Sequence, residues 1–263
     1  MQTADHLKMT ASLVVLLVDD FTGKTITGGS VRVSIAEQKP PVRKNEGYYV
    51  FINLPVGELE VTAEGGVYET KRIMVTTGTD GNQQVLRLRL TPGRAYPIPA
   101  DATSVEGVAE PNSTVYIISR ERAGAMKLLY DYDPAGESNG VITVFHPTGE
   151  DISGRQLFVE GNAQQTELFR LGEALAEDGA YALGKALVHM YKKIGTTIYP
   201  AFSATVNDKG EFRLPIASLR EKEGTFLCIV VGADTRSVEV VLKTGAVQRL
   251  DLTKLSGASK LES

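Results

Sequence analysis

Tryptophan is absent from the 263 residues, cysteine occurs once and histidine three times. A single cysteine, Cys228, rules out an internal disulfide and a cysteine metal cluster. Its setting in the apolar run FLCIVV marks it as a small core side chain. His6, His146 and His189 are scattered, without the close spacing that sets two imidazoles on one metal, so they are expected to be exposed or structurally satisfied. Long apolar runs are also missing: nothing approaches the ~20 residues of a membrane helix. The short run LVVLLV, Leu13 to Val18, has no basic segment before it and no small-residue cleavage site, and Asp19 and Asp20 end it at once. It therefore reads as a buried strand rather than an export signal, and the chain is expected to be made in the cytoplasm without a signal peptide. Charge of one sign is lacking too. With 28 basic residues against 32 acidic, the net charge of −4 argues against nucleic acid and anionic lipid as partners.

What is present is β-branched residues, glycines at turn positions and period-2 alternation. In GELEVTAE, Leu59, Val61 and Ala63 fall on one side and Glu58, Glu60, Thr62 and Glu64 on the other, the pattern of a strand with one wet face. GYYVFINLP (Gly47 to Pro55) is apolar on both faces, and Pro55-Val56-Gly57 predicts a turn that folds the two segments into a hairpin. A longer pattern occurs twice. From Gly140 and again from Gly210 there follow an alternating strand, a polar turn, a second strand ending in glycine, a polar corner and a third strand. The corner glycine comes 21 residues on in the first copy (Gly161) and 22 in the second (Gly232). Two copies of one three-strand unit, about 70 residues apart, are expected.

The predicted fold is all-β, tandem immunoglobulin-like or transthyretin-like sandwich modules. They are placed at 1–92, 97–172 and 180–255, with a proline-rich linker TPGRAYPIPADATS (Thr91 to Ser104) and a polar tail at 256–263. Leu168 to Lys193 is alanine-rich; a short helix or loop around LGEALAED is expected, then a strand from about Lys185.

The opening stretch carries a resemblance. VDDFTGKTITGGSVRVSI followed by GYYVFINLPVGELEVTAEGGVYETKRIMV resembles the carboxypeptidase regulatory-like (transthyretin-like) domain, through Asp19, Thr22 and Gly23, then Gly28 and Val31, then Phe51, Leu54 and Gly57. It spans residues ~10 to 92. The resemblance implies a β-sandwich that acts as an appended folding, spacing or adhesion module, and no particular activity. VEGVAEPNSTVYI (Val105 to Ile117) is similar to the first strands of bacterial immunoglobulin-like repeats. A related sandwich in surface pilins seals itself with a lysine–asparagine isopeptide bond; strand Ser12–Val18 has no lysine and Val85–Leu90 no asparagine, which argues against that bond in the first module.

Chemical candidates are few. Asp131, Asp133 and Glu137 in DYDPAGESNG faintly resemble a calcium loop, but Pro134 interrupts the ligand series, so an acidic connection is expected. Asp19 and Asp20 read as turn and capping residues. No nucleophile elbow, P-loop or dinucleotide fingerprint occurs, and neither enzymatic activity nor a cofactor is expected. Glycan modules use flat aromatic platforms, most often tryptophan; Tyr116, Tyr130 and Tyr132 are the candidates for a ligand or interaction surface here. The expected function is that of a non-catalytic structural or protein-interaction protein within a larger assembly, for instance a phage-tail-like or contractile-injection particle released by lysis. A glycan or cell-surface ligand-binding module is the alternative.

Overall fold

The computed structural model describes residues 11–78, 84–120, 124–162, 165–216 and 223–254; His6 and the tail at 256–263 lie outside them. The chain is all-β and divides into two compact units, 1–90 and 91–263.

In the first unit the strands are β1 (Ala11–Asp19), β2 (Arg32–Ile35), β3 (Val42–Arg43), β4 (Tyr48–Ile52), β5 (Gly57–Glu64), β6 (Lys71–Thr77) and β7 (Gln84–Leu90). They form two sheets, β3-β4-β1-β7 and β2-β5-β6. β1 runs antiparallel to β4 and parallel to β7, so its apolar residues are central and buried on both faces. Leu13, Val15 and Leu17 enter the core with Val33, Val61, Val75 and Leu88. Each such side chain, removed from water, stabilises the fold by about 1.5–3 kcal/mol. β5 alternates as its sequence predicts, Val61 and Ala63 in, Glu58, Glu60 and Glu64 out.

The expected hairpin of β4 and β5 is not formed. β4 pairs with β1 and β3, β5 with β2 and β6, and the chain passes from one sheet to the other through Asn53, at φ 55°. Both strands have an apolar face to bury, and placing them in opposing sheets buries the two faces against each other. At the opening turn, Asp19 Oδ1 accepts the Phe21 and Thr22 N–H groups, both at 2.9 Å, and Oδ2 accepts the Tyr68 hydroxyl at 2.9 Å. Gly23 follows at φ 69°, a conformation that side chains disfavour. The DDFTG stretch is thus a turn clamped by its aspartate, as the sequence predicts.

In the second unit the strands are β8 (Thr103–Val108), β9 (Thr114–Ser119), β10 (Lys127–Leu128), β11 (Val141–Phe145), β12 (Gln156–Glu160), β13 (Thr166–Ala174), β14 (Ala180–Leu183), β15 (Thr197–Thr205), β16 (Glu211–Ile216), β17 (Glu223–Val231), β18 (Thr235–Lys243) and β19 (Val247–Asp251). A nine-stranded sheet, β10-β11-β14-β13-β12-β15-β9-β17-β18, faces a three-stranded one, β16-β8-β19, across a core that includes Val115, Ile117, Phe212, Phe226 and Cys228. A second core, with Met126, Ile142, Leu157, Phe169 and Tyr191, lies under the other half of the large sheet.

The two sequence copies are recognisable as the hairpins β12–β13 and β17–β18, which flank the central β15–β9 pair. The strand that opens each copy goes elsewhere: β11 joins β14 and β10, whereas β16 crosses to the small sheet beside β8. The strands therefore do not separate at 172–180 into two successive modules. β8 pairs with β16 and β19, and β9 with β15 and β17, so the first two strands of this unit find all their partners after residue 196. The linker is tied down as well, with the Arg213 guanidinium donating to the carbonyls of Arg94 (3.2 Å) and Tyr96 (3.1 Å).

No helix forms at LGEALAED, where β13 continues to Ala174, and no strand forms from Lys185. The backbone donors of that segment are taken by side chains. Tyr132 Oη accepts Leu187 N–H at 2.9 Å, and the Glu167 carboxylate accepts Val188 N–H at 2.8 Å and His189 N–H at 2.9 Å. Once those groups are satisfied, a sheet ladder has nothing left to offer them.

Candidate functional site

Of the three candidate tyrosines, the structure brings Tyr130 and Tyr132 together and leaves Tyr116 apart. Tyr116 lies on β9, half-buried beside the cluster of Ile118, Phe158 and Ile229, and burial holds its hydroxyl pKa above the ordinary value, with Arg170 opposing. Tyr130 and Tyr132 follow β10 and line a hollow of about 300 Å³ with Asp131, Asp133, Ser138 and Glu177.

Their roles within the hollow differ. Tyr132 is only 4% exposed, and its hydroxyl is fully used, donating to the Asn139 carbonyl at 2.8 Å and accepting Leu187 N–H. Burial raises its pKa, so it is a neutral structural crosslink. Its backbone also bridges Tyr191, N–H to carbonyl in both directions at 2.8 and 3.0 Å. Tyr130 is 61% exposed and projects its ring to solvent at the rim. A rigid floor with one free aromatic ring is a geometry that can receive a ligand face without first ordering the protein.

The floor is held from behind by Glu167, which sequence reasoning missed. This glutamate is 4% exposed and accepts the Tyr191 hydroxyl at 2.9 Å besides its two backbone N–H donors. Burial and the adjacent carboxylate push the Tyr191 hydroxyl far above its ordinary pKa. The buried charge is compensated by three directed hydrogen bonds, the condition under which a carboxylate can stay in a core. The alternation of β13 carried the signal, since Glu167 falls in phase with Phe169 and Leu171 on the buried face.

In the acidic loop, Asp131 and one oxygen of Asp133 are engaged locally. Asp131 accepts Lys193 N–H at 2.7 Å and the Lys192 ammonium at 3.0 Å, and these hydrogen bonds, the backbone one foremost, lower its pKa. Asp133 Oδ1 accepts Ala135 N–H at 2.9 Å. Among the described residues no three His, Cys, Asp or Glu side chains converge as a metal site would need. His146 Nδ1 lies 2.9 Å from the Thr148 hydroxyl, and His189 packs edge-on to Tyr191. Cys228 is buried in the core, its thiol pushed up to about 12 by burial.

No family model and no curated protein matches the chain. Solved structures of low similarity exist. A DUF3823 family protein from Bacteroides ovatus is 11% identical, with 80% of this chain and 99% of that one covered and a TM-score of 0.25. A protein from Bacteroides uniformis provisionally assigned to carbohydrate binding is 11% identical over 89% and 99%, with a TM-score of 0.24. A minor pilin from Streptococcus agalactiae is 8% identical over 95% and 98%, with a TM-score of 0.22. The resemblance of the first unit to the carboxypeptidase regulatory-like domain finds no family match; what the first unit shows is an all-β, two-sheet fold.

Proposed function

We propose that this chain is a non-catalytic binding protein whose second unit receives a neutral glycan at the Tyr130 hollow. The observation that carries the reading is the contrast between the two tyrosines, one locked into the floor and the other presenting its ring at the rim. A sugar's apolar face stacks on such a ring, while its hydroxyls reach Asp133, Ser138 and Glu177. A glycan array tests this with the intact chain, Tyr130→Ala and, as a control, Tyr48→Ala, which removes an exposed tyrosine of the first unit. The expected result is binding lost in Tyr130→Ala and kept in Tyr48→Ala. Absence of any glycan signal, or a signal indifferent to Tyr130, would remove the proposal.

A protein partner is the second reading. It is favoured by β18, the nine-residue strand at the edge of the large sheet, with Val241 exposed at 52%. Edge strands of this kind pair with incoming chains. The phage-tail-like particle expected from the lack of an export signal draws no support from the comparisons and is not part of the proposal.

A further inference from the structure

A separate hollow, of about 460 Å³, lies in the first unit between its edge strands β2 and β3. Its lining includes three cations, Arg32, Lys39 and Arg43, against a single acid, Glu37. Several arginines elsewhere are matched to carboxylates, Arg94 with Glu211, Arg120 with Glu160 and Glu239, Arg213 with Glu106. Here, among the described residues, no carboxylate lies within ion-pair distance of the three cations; Glu64 stands across from Arg32 in the β2–β5 register without closing a salt bridge. On a chain of net charge −4 this is a local reversal of sign.

The hollow is also built rather than incidental. The Arg43 guanidinium donates to the Thr27 carbonyl and sits 6.0 Å from the centre of the Tyr49 ring, which fixes the side chain at the wall of the hollow. Tyr49 is itself buried and anchored, its hydroxyl donating to the Val31 carbonyl at 2.7 Å. Pro40 and Pro41 stiffen the connection that carries Lys39, and Glu37 holds a left-handed backbone at φ 60°. Two guanidinium groups and an ammonium around a space of small-ligand size match an oxyanion by charge.

We propose that this hollow binds a small oxyanion ligand, a sugar-sized molecule bearing a carboxylate or a phosphate, independently of the Tyr130 site. Titration calorimetry of the full chain carrying Tyr130→Ala, which takes the other hollow out of play, against sodium glucuronate, inorganic phosphate and, as the uncharged control, glucose tests it and separates the two oxyanion sources. Binding of glucuronate or phosphate but not glucose is expected. The affinity should fall at least tenfold in Arg32→Ala/Lys39→Ala and weaken with added salt. Both side chains are exposed, so circular dichroism should show the variant folded. Glu37→Gln, which removes the one opposing charge, should tighten binding severalfold. Neither anion binding, or binding unchanged by both variants, would overturn the proposal.

Discussion

Glu167 shows how much one side chain can organise. Its carboxylate takes two backbone N–H groups and a phenol, so replacing it strands three buried donors together. Glu167→Gln, which offers one acceptor oxygen and turns an NH2 toward a donor, is expected to cost about 1–3 kcal/mol in urea unfolding. It should also speed amide exchange at Val188 and His189. Glu173 behaves oppositely. One of its oxygens is buried without a hydrogen-bond partner, and burial raises its pKa. Its folded-state pKa lies above the unfolded one, so its contribution is present while it is protonated and lost as pH rises through the folded value. Glu173→Gln should therefore stabilise the chain at neutral pH, an advantage that vanishes near about pH 3, where the wild-type carboxyl is neutral too. Thermal melts at the two pH values check this. Gly161 is required by close approach, since a Cβ there would sit 2.7 Å from the Tyr191 ring. Gly161→Ala should cost about 1–3 kcal/mol, whereas Gly140→Ala, with open space around it, should be near neutral.

At the scale of elements, alternation and turn chemistry made much of the structure legible. GELEVTAE is a one-sided strand, DDFTG an aspartate-clamped turn, and the corner glycines Gly161 and Gly232 mark two real hairpins. Partner choice was not legible. Period-2 alternation says that one face is buried but not which strand lies alongside, and β4 and β5, adjacent in sequence, go to opposing sheets for that reason. The register of GKALVHMYKK with EGVAEPNSTVYIIS predicts a strand from about Lys185; the side chains that capture the N–H groups there come from Tyr132 and Glu167, 55 and 21 residues away. The site was half legible. Tyr130 and Tyr132 were named from their proximity, yet which ring would be free depends on Leu187 and Asn139, and Tyr116, close in sequence, faces another cluster.

The whole molecule comprises two units, and the second is a single interleaved one. Because β8 and β9 pair only with β15, β16, β17 and β19, the segment 97–172 by itself leaves both without partners. Expressed alone it should show no cooperative unfolding transition by circular dichroism, whereas 91–254 should. A folded, cooperative 97–172 would restore the reading of successive modules. The functional account turns on where a ligand lands, and amide-resolved NMR of the intact chain titrated with the glycans selected on the array answers that most directly. The account predicts shifts concentrated at Leu128–Thr143 and Glu177, around the Tyr130 ring. Shifts running along β18 instead, or none at the hollow, would contradict it.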